Sequence, residues 1–147
     1  MAPIAQREIR TAVVARLKEA GLRNSGSRWQ VVDVLVNADR PLSLPEVLSS
    51  DPELAQSSVY RNLSELVEVG VARRVESTDE HTRFELHESL TSHHHHLVCS
   101  SCGRVEDFYV SEEFEAGIGS VIQAARDKGF TIESHRFDLI GFCAACD

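Results

Sequence analysis

The densest chemistry in this 147-residue chain lies at residues 93–103, where four consecutive histidines run into a Cys-x-x-Cys-Gly motif. A second pair, Cys143 and Cys146, follows after 40 intervening residues. Thiolates and imidazoles are preferred ligands of borderline-soft divalent metals, and each Cys-x-x-Cys pair places two sulfurs on one turn. Together with Cys99 and Cys102, the second pair predicts a closed tetrahedral zinc site of the structural type.

Two redox motifs, or incidental buried thiols, are the alternatives for these four cysteines. A redox Cys-x-x-Cys normally occurs once, at a helix N-terminus, and requires no matching second pair. Disulfides are rare in cytosolic proteins, where clustered cysteines more often serve metal or redox chemistry. The two-plus-two arrangement therefore favours zinc.

The histidine run predicts metal binding at two different places. Successive side chains of an extended strand point to opposite faces, so His94 and His96 share one face while His93 and His95 share the other. Further candidate ligands are Glu85, His87, Asp107, Glu112, Glu115 and His135. His135 is the strongest of these, because it lies between two apolar segments. A solvated histidine run and ordinary surface acids are the alternatives.

Charge is distributed unevenly along the chain, whose formal net charge is -8 at pH 7. Residues 1–75 carry ten Lys or Arg against nine Asp or Glu, whereas residues 76–147 carry five against fourteen. The first half is compatible with phosphate binding if its arginines cluster, and the second half favours metal cations. Neither a bilayer-spanning apolar run of roughly 20 residues nor a signal-peptide pattern is visible, so we expect a cytoplasmic protein without membrane partners.

The first 70 residues show the apolar spacing of helices. Helices are predicted over residues 5–20, 27–37, 44–49 and 56–69. Ser43 and Glu46 form a capping box at the start of the third. Two short helices joined by a tight loop, the second amphipathic, are typical of a helix-turn-helix. Tyr60 and Arg61 are then candidates to meet base edges, and Gln56, Ser57 and Ser58 to contact phosphate. An ordinary exposed helix face is the alternative.

Short apolar segments after residue 70 predict strands. Residues 71–75 and 82–86 predict a hairpin that directly follows the helix-turn-helix and makes it a winged helix, with a plain hairpin as the alternative. Residues 88–92 are mostly polar and predict a hinge. The remaining chain predicts strands at 96–99, 105–109, 130–132 and 137–140, and a helix over 112–128.

In combination these motifs resemble the ferric uptake regulator (Fur) family of bacterial metalloregulators, over about residues 8–147. The resemblance rests on Ser58-Val59-Tyr60-Arg61-Asn62-Leu63, Glu68-x-Gly70, Phe84-Glu85-Leu86, the stretch from His93 to Gly103 and the C-terminal Cys-x-x-Cys. It implies an α+β fold, with a winged helix-turn-helix domain at 1–87, a hinge at 88–92 and a small α/β metal-binding dimerisation domain at 93–147. It also implies a homodimer that binds a double-stranded DNA operator and represses metal-uptake or stress genes.

Residue roles follow from the resemblance alone. The four cysteines look like a structural Zn²⁺ site. Glu85, His94 and His96 look like a sensing site at the hinge for a second divalent ion, Zn²⁺ or Fe²⁺, which acts as co-repressor. An additional site is implied for His93, His95 and His135 with Glu112 or Glu115. Tyr60 and Arg61 resemble major-groove contacts, and Arg23 resembles a minor-groove arm.

One departure from the family pattern bears on the sensed metal. Members that sense iron or peroxide usually have a histidine just before the third helix, where this chain reads Arg40-Pro41-Leu42-Ser43. The difference favours zinc slightly over iron and makes His87 a candidate substitute ligand. Asp107 matches a ligand position in peroxide-sensing relatives, so a peroxide-responsive repressor is an alternative. A zinc enzyme is less favoured, because no motif places a general base beside an open metal position.

Overall fold

The computed structural model describes residues 5–147. Its helices are α1 (Gln6–Glu19), α2 (Gly26–Asn37), α3 (Leu44–Ser50), α4 (Gln56–Glu68) and α5 (Glu112–Asp127), with a short 3-10 helix at Glu88–Leu90. Its strands are β1 (Leu42–Ser43), β2 (Ala72–Val75), β3 (Arg83–Leu86), β4 (His95–Cys99), β5 (Val105–Phe108) and β6 (Asp138–Gly141). Residues 1–4, which entered the expectations about a signal peptide and a domain starting at residue 1, lie outside the described range.

The N-terminal helices pack around one apolar core. Val13 and Leu17 lie one turn apart on α1 and are buried, as are Val59 and Leu63 on α4. This spacing of three and four residues gives each helix one apolar face. The same core includes Phe84 of β3, so the small sheet packs against the helices.

The first sheet has the order β1-β3-β2 and is antiparallel throughout. Strands β2 and β3 form the predicted wing after α4. The two-residue strand β1, which was not predicted, pairs Leu42 with Phe84. It ends at Ser43, whose hydroxyl accepts from the Glu46 amide while the Glu46 carboxylate accepts from the Ser43 amide. The predicted capping box at the start of α3 is therefore present.

The second sheet has the order β5-β4-β6. Strand β4 pairs antiparallel with β5 and parallel with β6, and the register places Cys99 opposite Gly141. A parallel pair requires a crossover, which α5 supplies between β5 and β6. Because β4 and β6 run in the same direction, the two Cys-x-x-Cys pairs at their ends reach the same edge of the sheet.

The predicted strand at residues 130–132 is wrong. Gly129 adopts a φ of +91° at the end of α5, and the Phe130 amide still donates to the Ala125 carbonyl. The segment that follows has no strand until β6, and Phe130 is largely exposed. No helix within residues 5–147 is both long and apolar enough to cross a membrane. The predicted α+β class, with a winged helix-turn-helix followed by a small α/β unit, is confirmed.

Candidate metal centres and nucleic-acid interface

The four cysteines converge in one cluster, because β4 ends at Cys99 and the chain leaves β6 just before Cys143. Their sulfur atoms all lie within 4.8 Å of one another, and the Sγ atoms of Cys102 and Cys143 are 3.8 Å apart. The Cys143 amide donates to the Cys99 sulfur over 3.4 Å. This is the donor set of a closed, tetrahedral zinc site.

The thiols of this cluster differ strongly in acidity. Backbone N–H groups of Cys102 and Cys143 lower the pKa of Cys99 to about 6. The Ser101 hydroxyl favours the Cys146 thiolate, but the sulfurs of Cys143 and Cys102 raise the pKa of Cys146 to about 12. Four sulfurs this close cannot all carry negative charge without a cation between them, whereas a divalent metal binds all four as thiolates. The residues therefore fit a zinc ion.

A second cluster lies between the two sheets and comprises Glu85, His94, His96 and Asp107. Glu85 comes from β3 of the wing, whereas His96 and Asp107 face each other across the β4–β5 pair. The Glu85 Oε2 atom lies 3.0 Å from His94 Nε2 and 3.2 Å from His96 Nε2. Asp107 Oδ1 lies 3.4 Å from His94 Nε2. We call this group the hinge cluster.

Burial and mutual charge interactions shift the pKa values of three members of the hinge cluster. Burial alone would raise the pKa of Glu85, but hydrogen bonds from His94 and His96 and the charge of Arg73 hold it well below its usual range. Burial would lower the pKa of His94, but its bonds to Glu85 and to the Ser92 carbonyl raise it to about 9. Burial raises the pKa of Asp107 to about 6. The negative charge of Glu85 also raises this pKa, whereas the positive charge of His94 lowers it. Two carboxylates and two imidazoles around one point suit a divalent cation.

A third cluster gathers the other two histidines of the run, and we call it the distal cluster. It comprises His93, His95, Glu115 and His135. His93 Nε2 lies 3.1 Å from His135 Nε2, and His95 Nε2 lies 2.5 Å from Glu115 Oε1. Burial would raise the pKa of Glu115, but the His95 bond and the nearby imidazoles lower it. The alternation predicted for the histidine run therefore separates its members between two clusters.

The candidate DNA-reading residues lie on one exposed side of α4. Tyr60 is 62% exposed, and Arg61, Gln56 and Ser57 are exposed as well. Ser58 is half-buried, and its hydroxyl accepts from Asn62 over 3.4 Å. The helix is preceded by Ala55, which provides no side-chain cap, so its first amides are available to an anion. Arg23 is exposed in the α1–α2 loop, where its carbonyl accepts from Arg28.

Comparison with known proteins identifies the family. The family model described as "Ferric uptake regulator family" matches residues 19–140 of this chain. The chain belongs to the ferric uptake regulator family. Its members are metal-dependent transcriptional regulators. The resemblance drawn from the sequence motifs is thereby confirmed.

Relatives and solved structures within the Fur family agree with this placement. The chain is 33% identical over 139 residues to the ferric uptake regulation protein of Cupriavidus metallidurans, covering 90% of this chain and 92% of the relative. It is 30% identical over 135 residues to the peroxide operon regulator of Bacillus subtilis, covering 88% of each. The Helicobacter pylori ferric uptake regulator, described as having three functional metal binding sites, superposes with a TM-score of 0.76 at 26% identity. That superposition covers 99% of this chain and 97% of the other.

Two ligand candidates lie outside the three clusters of this Fur-family chain. His87 follows the end of β3, where the chain turns into the 3-10 helix, and its Nδ1 lies 2.7 Å from Ser89 Oγ. Burial and the charges of Arg16 and Arg73 lower the pKa of His87. Glu112 is the exposed first residue of α5, and Glu115, one turn later, reaches the distal cluster.

Two charged residues near the clusters were not singled out from the sequence. Arg73 on β2 donates from Nε to Glu85 Oε1 over 2.6 Å, and Glu88 accepts from His93 Nδ1. An arginine in a short strand and a glutamate in a polar turn carry no distinctive spacing. The available signal was positional, since Arg73 is cross-strand partner of Glu85 in the predicted hairpin.

The C-terminal half leaves a large apolar surface exposed. No residue of α5 is buried, and Val121 is 68% exposed. Ile140 and Phe142, at the end of β6, are 66% and 68% exposed. Together with Leu139 they border an open groove beside β4 and β6 with a volume of about 430 Å³. An exposed apolar groove of this kind is typical of an interface between protein chains.

Proposed function

We propose that this protein is a homodimeric repressor that binds its DNA operator when a divalent ion occupies the hinge cluster. Zinc is favoured over iron as the co-repressor, because no histidine precedes α3. The main support for this proposal is that the candidate ligands come from two different parts of the chain. Glu85 belongs to the wing, whereas His96 and Asp107 belong to the strands beyond the hinge and His94 immediately precedes β4.

The hinge cluster has the chemistry that a divalent ion requires. All four donor atoms lie within 4.8 Å of one another. Asp107 Oδ1 is buried and has no hydrogen-bond partner within residues 5–147. A buried carboxylate oxygen without a hydrogen bond is costly, and a bound cation would satisfy it. A bound ion supplies positive charge that both carboxylates share.

The proposal also assigns functions to the other parts of the chain. We assign residues 1–87 to a winged-helix domain, 88–92 to the hinge and 93–147 to a metal-binding dimerisation domain. The cysteine cluster would hold a structural zinc ion, and the distal cluster an additional divalent ion. The exposed side of α4, with Tyr60 and Arg61, would enter the major groove. The apolar surface around Val121 would pair with a second copy of the chain.

The coupling between metal and DNA requires only a difference in affinity between two arrangements. In a dimer, DNA binding depends on the spacing of the two α4 helices, which must match successive major grooves. Glu85 moves with the wing, and the hinge histidines move with the dimerisation domain. A metal ion that binds more tightly when Glu85 and the hinge histidines are close together than when they are apart favours the DNA-competent spacing.

DNA binding by the chelated protein, with zinc, iron, manganese and nickel restored separately, tests the proposal. We expect metal to increase affinity for operator DNA in a fluorescence anisotropy titration, and the double variant H94A/H96A to abolish that increase. H81A removes an exposed histidine that lies in none of the three clusters, so it is the matched control. Unchanged DNA affinity with chelator and in H94A/H96A would contradict the proposal.

A peroxide-responsive repressor is the second candidate. Asp107 in the hinge cluster and the 30% identity to the Bacillus subtilis peroxide operon regulator favour it. In that case iron rather than zinc would support oxidation. Mass spectrometry of the iron-loaded protein after peroxide treatment would then find added oxygen on His94 or His96, and DNA affinity would fall. If the histidines were unmodified and the DNA affinity were unchanged, the peroxide-responsive function would be excluded and the metal-responsive repressor would be favoured.

A further inference from the structure

Arg73 lies between the hinge cluster and the distal cluster. Its Nε and Nη2 atoms are each 2.6 Å from Glu85 Oε1, in the hinge cluster. Its Nη1 atom is 3.6 Å from Glu88 Oε2. The guanidinium is planar and carries a fixed fork of donors, so one arginine can hold two carboxylates in a defined relative position.

Glu88 continues the connection toward the distal cluster. Its second oxygen, Oε1, accepts a hydrogen bond from His93 Nδ1. His93 therefore presents its other nitrogen, Nε2, which lies 3.1 Å from His135 Nε2 and 3.2 Å from Glu115 Oε1. A carboxylate that accepts from the far nitrogen of a metal-ligating histidine fixes its tautomer and ring orientation.

The two oxygens of Glu85 have different contacts. Oε1 contacts Arg73 and Oε2 lies 3.0 Å from His94 Nε2, whereas His96 Nε2 lies 3.2 Å from both oxygens. The carboxylate is buried, so its contact with Arg73 fixes the position of both oxygens relative to His94 and His96. An unbroken series of polar contacts thus runs from Glu85 through Arg73 and Glu88 to His93.

We propose that Arg73 and Glu88 are positioning residues that couple metal binding at the hinge cluster to metal binding at the distal cluster. The inference rests on the proposed function, in which both clusters bind divalent ions. An ion at the distal cluster fixes His93 and hence Glu88, which holds Arg73 and orders Glu85 before the hinge ion arrives. The second ion then loses less conformational freedom, and the coupling is positive and reciprocal.

Affinity at one site alone cannot test this coupling. Removing Arg73 loses the positioning of Glu85 but also removes a positive charge that repels an incoming cation. The diagnostic quantity is the ratio of hinge affinities with and without a functional distal cluster. A merely structural role of Arg73 would change both affinities by the same factor and leave their ratio unchanged.

The experiment uses Co²⁺ titrations of the full chain with zinc at the cysteine cluster. The hinge site is read from the Co²⁺ absorption that is absent in H94A/H96A, and E115Q disables the distal cluster. We expect E115Q to weaken hinge binding by about fivefold or more in the parent protein. In R73M and in E88Q, adding E115Q should change hinge affinity by less than about twofold.

Arg74 provides the matched control. It neighbours Arg73 on β2, its guanidinium lies over the Phe84 ring, and it forms no salt bridge within the described residues. R74M should keep the fivefold effect of E115Q. E88Q preserves the size of the side chain, and it provides the test of coupling if R73M does not fold.

Two results would overturn the coupling. One is an unchanged hinge affinity in E115Q alone, and the other is an equal effect of E115Q in the parent, R73M and E88Q proteins. Either result leaves the proposed function intact provided that Co²⁺ still binds the hinge cluster. Loss of metal-dependent DNA binding is a separate readout, so failure of the proposed function is recognised independently.

Discussion

The Thr78 hydroxyl donates a 2.5 Å hydrogen bond to the carbonyl of Cys99, the first cysteine of the zinc-type cluster. Thr78 lies in the loop that joins β2 to β3, the tip of the wing. Beside it, Ser77 donates to the Gly103 carbonyl over 2.5 Å. Gly103 has a φ of +74°, and a side chain there would collide with Asp79 of the same loop. The wing tip therefore rests directly on the turn that presents the cysteines.

Loss of the Thr78 bond should loosen the wing tip. We expect T78V, which preserves side-chain shape, to lower the free energy of unfolding by about 1 kcal/mol. Amide exchange across residues 76–82 should become faster, because the loop loses an anchor on the cysteine turn. Denaturant unfolding and hydrogen–deuterium exchange measure the two effects. T82V changes an exposed threonine of the same loop, and an equal effect there would refute a specific role of Thr78.

The capping box of α3 predicts a pH-dependent contribution to stability. Burial would raise the pKa of Glu46, but hydrogen bonds from the Ser43 amide and Arg40 lower it in the folded state. The contribution is therefore complete above the unfolded pKa of about 4.3 and is lost as the pH falls through the folded pKa.

E46Q tests this contribution. Since Glu46 is partly exposed, we expect the variant to be less stable by only about 0.5–1 kcal/mol at pH 7. The difference should shrink as the pH falls below about 4. Urea unfolding at both pH values measures it, with E19Q at the exposed end of α1 as control. A pH-independent difference would contradict the assignment.

The exposed side of α4 predicts a change in the salt dependence of DNA binding. If Arg61, which we expect to enter the major groove, also neutralises a phosphate there, R61A should weaken operator binding and reduce the slope of log K against log salt by about 0.9. Metal binding at the hinge cluster should not change. Anisotropy titrations at several salt concentrations measure the slope. K18A, which removes a positive charge from α1, should leave it unchanged.

The apolar surface of α5 predicts the oligomeric state. V121E places a charge at a 68% exposed valine, and we expect it to convert a dimer into a monomer by burying an unpaired carboxylate at the interface. Sedimentation equilibrium measures the mass. V14E introduces the same charge at a 42% exposed valine of α1 and should remain dimeric. A dimeric V121E would place the interface elsewhere.

The division of the histidine run was predictable because it depends only on strand periodicity. His94 and His96 meet Glu85, whereas His93 and His95 meet His135, and this is the alternation expected of an extended segment that leads into β4. The convergence of the cysteines was predictable from ligand chemistry alone. Both inferences need residue type and spacing but no knowledge of how the sheets pack.

Other features depend on where each element stops. His87 lies two residues after Glu85 and would share its face if β3 continued, but β3 ends at Leu86 and the ring turns to Ser89. The choice between Glu112 and Glu115 depends on the direction of α5. Arg73 faces Glu85 across the predicted hairpin, but its second contact, with Glu88 in the 3-10 helix, depends on how the chain turns after β3.

The unbroken histidine run makes the two ligand sets sensitive to insertions and deletions. A shift of β4 by one residue would exchange its faces, presenting His93 and His95 toward the wing and His94 and His96 toward His135. Three of the four positions would still hold imidazoles, because Ser92 or Leu97 would take the fourth, so one cluster would keep both of its histidines and the other would lose one. A shift of two residues would keep the faces but remove one imidazole from each cluster. A change of one residue in the length of this segment should therefore impair one metal site, whereas a change of two residues should impair both.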